Sequence, residues 1–258
     1  MEYWQDDGFV VAVRHAGEHD AILRALTLQH GLAAGFVRGG GGKKLRPLLQ
    51  VGNHMHVQWS ARLQQHLGQF KCDLLHPYAA HAVVGEADQA GVRVAALASW
   101  AALVAAIMPE QQSSPLLYWA SYRFLDQQTL ADYIRFEAVA LAELGHPLAL
   151  GQCAVSGATS GLKYVSPKTG AAVTAEAAGV YKQRLLPLPA FMSDAATEDV
   201  VISAADAFDG LRLTGHFLSL RLRPDDTGYG QDSKPKAPLP VARQTLLKRV
   251  QKMQAETE

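Results

Sequence analysis

The chain has 258 residues, 48% hydrophobic and 19% charged, which excludes a disordered chain and leaves room for one large or two modest domains. Its 24 basic and 24 acidic residues cancel, so attraction to a polyanion has to come from local clustering of charge. The two cysteines, Cys72 and Cys153, exclude a disulfide framework and point to a reducing, cytoplasmic setting.

The opening MEYWQDDGFV is acidic and aromatic, unlike a signal peptide. Over the first 80 residues short apolar runs alternate with turns, the pattern of strands. GFVVAVRHAGEHD reads as a strand and turn, AILRALTLQHG as a second strand and LAAGFVRGG as a third. HMHVQW is a fourth, with Met55, Val57 and Trp59 on one face and His54, His56 and Gln58 on the other; LGQFKCDLL is the fifth. Five short strands predict a closed barrel over residues 1–80, and the five-stranded candidate is the OB-fold, which commonly binds oligonucleotides. Phe36, Trp59 and Phe70 are expected in its core, stacking on the bases of a single strand being the alternative, and His54 and His56 are expected at its surface.

After Pro77 the period becomes helical, so the fold class is α+β: the OB-fold barrel, then a mainly α-helical domain over 81–258. VRVAALASWAALVAAIM, PLLYWASYRFLDQ and TLADYIRFEAVALAELG read as helices. The apolar run Val94–Met108 is 15 residues long, short of the ~20 that cross a bilayer, so it reads as a buried helix and no membrane partner is expected. Leu150–Val173 loses the period and is rich in Gly, Ser and Thr, the main part of a small irregular insert over 150–178. TAEAAGVYKQRL, EDVVISAADAF and LRLTGHFLSLRLR read as further helices, 224–240 as a polar linker and 241–254 as a basic terminal helix.

VRGGGGKKLRP, Val37–Pro47, sets four glycines among four cations. A nucleotide-binding phosphate loop needs Gly, four residues, then Gly-Lys-Ser/Thr. Around Gly42-Lys43 the leading position is Val37 and the hydroxyl position is Lys44, so that reading is excluded. More telling, Ala21–Cys72 contains no Asp or Glu but carries Arg24, Arg38, Lys43, Lys44, Arg46, Arg62 and Lys71. Cations gain affinity for nucleic acid by displacing phosphate counterions. With Arg14 on the first strand, Arg24, Arg38, Lys43, Lys44, Arg46 and Arg62 are the candidate DNA contacts, the glycines serving as a mobile loop that orders on DNA. No nucleophile, triad or paired carboxylate stands in a catalytic context, so no enzyme is expected.

Three stretches are together similar to the bacterial recombinational repair family RecO: VVAVRHAGEHDAILRALTLQHGLAAGFVRGG with KKLRPLLQVGN, DYIRFEAVALAELGHPLALGQCAVSGATSGLKYVSPKTGAAV, and LPVARQTLLKRV. The resemblance implies binding of single- and double-stranded DNA and annealing of complementary strands. It also implies assistance to RecA on strands coated by the single-stranded-DNA-binding protein SSB, together with RecR and in some lineages RecF, at the nucleoid. Many members carry two Cys-x-x-Cys pairs for zinc. Here those positions are Cys153, Ser156, Thr174 and Ala177, so only Cys153 remains, and no cofactor is expected because tetrahedral zinc needs four donors. Tyr164, Val165, Leu162 and Val173 are expected to hold that insert by packing. The resemblance further assigns Arg135, with Arg123 as a second, to the acidic, phenylalanine-ended tail of SSB; the alternative pairs Arg135 with Asp132 or Glu137 on the surface. An alternative function is a scaffold whose basic strip meets acidic proteins.

Overall fold

In the computed structural model, which describes residues 2–63, 67–193, 201–222 and 239–257, five strands form the N-terminal barrel: β1 (Glu2–Ala16), β2 (Asp20–Thr27), β3 (Gly31–Val37), β4 (His54–Ala61) and β5 (Gly68–His76). They close in the order β1-β2-β3-β5-β4, as the OB-fold reading requires. Closure depends on the length of β1, whose first half pairs with β4 and whose second half pairs with β2. A register shift between Val10 and Ala12 marks the bend between the two partners. The β3–β5 seam is short, with only Gly35 opposite Gly68 and Phe36 opposite Gln69. A Cβ on Gly35 would lie 2.4 Å from the Phe70 ring, and one on Gly68 2.0 Å from Trp59, so the two glycines leave room for the two rings. Beside the seam, Trp59 Nε1 donates to the Ala34 carbonyl at 3.0 Å.

Trp59 and Phe70 are core residues, as expected, but Phe36 is not. Register pairs Phe36 with Ile22, on the face opposite the core residues Ala33 and Val37, and it is half-buried. His54 also departs from expectation: it is buried, stacked on Phe9 at 4.6 Å, with Nε2 3.3 Å from the Tyr118 hydroxyl. Burial holds its pKa below the ordinary 6.5, against the opposing pull of Asp7. His56 is half-buried, with Nδ1 2.7 Å from Asp7 Oδ1.

The chain divides into compact units at Gln128/Thr129, well past residue 80. Helices α1 (Tyr78–His81), α2 (Ala87–Ile107) and α3 (Pro115–Gln127) belong with the barrel because they cover it. Leu97 of α2 occupies the space over Gly52, Trp100 meets the edge of Phe9, and Gln111 N donates to Leu32 O at 3.2 Å. α2 extends to 21 residues, long and apolar enough to cross a membrane, but Trp100, Leu103 and Val104 are fully buried, which makes it a core helix. Ser114 caps α3 by accepting from Leu117 N, with Pro115 in the first turn.

The second unit starts with α4 (Leu130–Glu143), capped by Thr129. β6 (Leu162–Val165), β7 (Ala172–Thr174) and β8 (Leu186–Pro187) form a small sheet in the order β7-β6-β8. The helix expected at TAEAAGVYKQRL breaks at Gly179 into α5 (Ala175–Ala178) and a 3-10 turn. The two helices expected either side of Gly210 are one, α6 (Ala204–Arg221), started by a Ser203–Asp206 capping box. Gly210 lets the helix pass close to Ile134 and Phe191 rather than ending it. α7 (Val241–Thr257) is the terminal helix; the expected linker lies outside the described residues except for 239–240.

Glu137 of α4 and Arg243 of α7 clamp this unit. Both are fully buried, and Arg243 Nε and Nη2 donate to the carboxylate at 2.9 and 3.1 Å. Tyr133 and Thr214 hydroxyls donate to the same carboxylate, and Arg243 Nη2 also donates to Leu211 O. The residues that resemble a family signature in DYIRFE and VARQ therefore meet as a structural ion pair, and Glu137 is not a surface partner of Arg135.

Candidate nucleic-acid interface

Residues opposite one another in adjacent strands share a face, so register alone builds the outer surface of the barrel. One row crosses it as Arg14 (β1), Ile22 (β2), Phe36 (β3), Gln69 (β5) and Ser60 (β4). Two residues beyond this row on one side lie Arg38 after β3 and Lys71 on β5, and two residues beyond it on the other side lies Arg62 after β4. Arg14, Arg38, Arg62 and Lys71 are exposed around the half-buried Phe36. The next row sets Ala12, Arg24 and Ala34 side by side. Arg24 is engaged, with Nη2 3.5 Å from Glu110 Oε1. The sequence left the face of Phe36 undecided because both faces of LAAGFV are apolar; Gly35 takes the inward place, where a Cβ would meet the Phe70 ring.

The glycine loop differs from its expected mobility. Gly39, at φ +68°, donates its N–H to Asp20 Oδ1 at 2.7 Å, and Gly41 N donates to His19 O at 2.9 Å. A Cβ on Gly40 would sit 2.8 Å from that of Ala21, so the loop lies directly on the barrel. Beyond it Arg46 N bonds to Gly42 O and Leu49 N to Leu45 O, a helical turn that seats Leu49 in the barrel core. The loop is thus a packed platform that holds Lys43, Lys44 and Arg46 exposed. Folding also returns Asp20 to a window that is acid-free in sequence. Even so, among the described residues none of Arg14, Arg38, Lys43, Lys44, Arg46 and Arg62 has a carboxylate within ion-pair distance.

Arg123 lies half-buried on α3 of the first unit, whereas Arg135 lies on α4 of the second. Arg135 Nη1 is 3.2 Å from Asp132 Oδ1 and its Nη2 donates to Phe191 O at 3.3 Å. Its guanidinium also lies over the Phe191 ring, 6.0 Å from the centroid.

The positions matching zinc ligands in the family still converge. Ser156 N and Thr174 N donate to Cys153 Sγ at 3.5 and 3.4 Å, and Thr174 Oγ1 lies 3.8 Å from it. The Ser156 hydroxyl, opposed by burial and helped by neighbouring backbone N–H groups, lowers the thiol to about 6. Thr174 in turn caps α5 by accepting from Ala177 N. One thiol, two hydroxyls and a methyl group do not fit tetrahedral zinc. Hydrogen bonds occupy the knuckle, with Val173 and Ala178 packed on Cys153 and Leu162 and Tyr164 around them. Val165 is fully buried. Among the described residues no cluster of three or more His, Cys, Asp or Glu is placed to hold a metal ion.

The family profile for the N-terminal part of recombination protein O matches residues 1–78, and that for its C-terminal part matches residues 89–227. A DNA repair protein RecO from Ruegeria sp. (strain TM1040) is 41% identical over 227 residues, covering 86% of this chain and 90% of its own length. Those of Jannaschia sp. (strain CCS1) and Rhodopseudomonas palustris (strain BisB18) are 38% and 42% identical, covering 95% and 83% of this chain and 94% and 84% of their own lengths. With both parts matched and the barrel in OB order, this chain belongs to the RecO family of DNA repair and recombination proteins.

Proposed function

We propose that this chain is a non-catalytic mediator that binds single- and double-stranded DNA on the outer face of its barrel and anneals complementary strands. The observation that carries this reading is the set of exposed cations on an OB barrel, Arg14, Arg38 and Arg62 on the strand face that carries Phe36, and Lys43, Lys44 and Arg46 on the packed glycine loop. Cations on a fixed platform neutralise phosphates without a large ordering cost, so two strands can approach and pair. Phe36 offers an aromatic edge for stacking in the middle of that charge. Arg24, already paired with Glu110, has a smaller share than its neighbours. In this reading the helical unit brings the activity to SSB-coated DNA in the bacterial cytoplasm, Arg135 meeting the acidic SSB tail, and acts with RecR, and where present RecF, ahead of RecA.

The test is annealing of two complementary oligonucleotides by wild type and by the Lys43→Ala/Lys44→Ala/Arg46→Ala variant. The variant is expected to keep its thermal midpoint and lose most of the annealing rate. Full annealing by the variant would move the function off this platform, towards a scaffold role.

A further inference from the structure

Beside the short β3–β5 seam lies a cleft of about 560 Å³ that the cationic face does not use. Aromatic rings form one wall. Trp4 stacks on His30 at 4.0 Å between centroids and 8° between planes, and on Trp59 at 5.5 Å and 13°. His30 is set in place before any ligand arrives: its backbone N–H donates to Thr27 Oγ1 at 3.2 Å, and its ring Nδ1 lies 3.3 Å from Asp6 Oδ2. That carboxylate is itself fixed by Gln29 N at 2.7 Å. Gln29, Gln111 and Glu2 complete the lining with polar residues.

Flat rings beside amides and one carboxylate suit a planar, uncharged heterocycle with amino and carbonyl groups on its edge. Glu2 and Asp6 disfavour a phosphate inside. The cationic face begins just outside: Ala34 lines the cleft and is paired in register with Arg24, itself held by Glu110, and Phe36 follows about 7 Å further along the same face of β3. We propose that this cleft takes an unpaired base from a DNA strand whose backbone lies on the Arg14–Phe36 face. A paired and stacked base cannot enter, so the cleft adds affinity for single strands alone. This rests on the DNA-binding reading above.

The test compares three fluorescein-labelled probes by anisotropy: a mixed-sequence single strand, the same strand with abasic sites in its middle, and the duplex. Wild type is expected to bind the intact strand about tenfold more tightly than the abasic one, the order of one base–aromatic stack. His30→Ala should remove most of that difference, any stacking on Phe36 being left, and leave the duplex unchanged, and His30→Phe should restore it. Ala34→Leu, which narrows the cleft without touching the ring stack, should behave like His30→Ala. If both His30→Ala and Ala34→Leu keep the full difference while wild type binds all three probes, the cleft is not a base site and the DNA reading survives. If wild type binds none of the probes at low salt, both ideas fall together.

Discussion

Arg46 and Arg243 show two ways of placing a cation in this protein. Arg46 stands exposed on a turn whose neighbours Leu45, Leu48 and Leu49 pack on the barrel, and no carboxylate reaches it among the described residues. Arg243 is fully buried and held by Glu137 and Leu211 O through Nε and Nη2, while its Nη1 is buried without a partner. The first contributes little to stability and presents its charge outward. The second holds two helices and presents none. Family-like sequence thus surrounds an exposed cation in one region and a structural one in the other, and burial separates the two.

The largest expected effect lies on the buried side. Arg243→Met strands Glu137 without its counter-ion and is expected to cost about 3–5 kcal/mol, read by urea unfolding. Adding Glu137→Leu should recover most of that loss, since an apolar pair of similar volume replaces the ions well. A loss below about 1 kcal/mol in the single variant would erase the distinction drawn here. On the exposed side the platform itself can be lifted. Gly40→Val puts a side chain against Ala21 and is expected to cost roughly 1–3 kcal/mol by overpacking, and to weaken DNA binding with it.

A smaller effect sharpens Arg135, whose side chain is 24% exposed. Arg135→Ala is expected to lower affinity for an acidic SSB tail peptide while leaving binding to bare oligonucleotide unchanged, both measured by anisotropy. Equal affinity for the peptide would assign Arg135 a structural role, of which its contacts with Asp132 and Phe191 are part. The smallest effect concerns His54. Its folded pKa lies below 6.5, so below that pH the unfolded chain takes up a proton that the folded chain resists, and stability falls as the solution is acidified. His54→Phe keeps a ring on Phe9 and should flatten the decline in thermal midpoint between about pH 7 and pH 5. Parallel declines in the two proteins would assign the acid sensitivity elsewhere.

The barrel was legible because alternation and turns are local properties of the chain. HMHVQW placed Met55, Val57 and Trp59 correctly, and PLLYWASYRFLDQ matched its helix through Pro115 and the Ser114 cap. What failed were statements about neighbours that only folding supplies. His54 does point away from Met55, but α3 covers that face. The first unit runs on to Gln128 because Leu97 and Gln111 meet the barrel, contacts that leave no periodic trace. The acid-free window looked purely basic, yet the Asp20 turn folds beside its glycines. Those glycines suggested mobility by composition, whereas Asp20, His19 and Ala21 hold them. For the candidate interface, sequence supplied the cations and register supplied Phe36, which no count of residue types could have turned outward.

The most direct test of the central claim is the salt dependence of oligonucleotide binding by wild type and the Lys43→Ala/Lys44→Ala/Arg46→Ala variant. Plotted as log affinity against log salt, the wild-type line should be steep, and the variant's slope should be shallower by about 2–3, roughly one per lost phosphate contact. Identical slopes for the two proteins would contradict the assignment of DNA to this face.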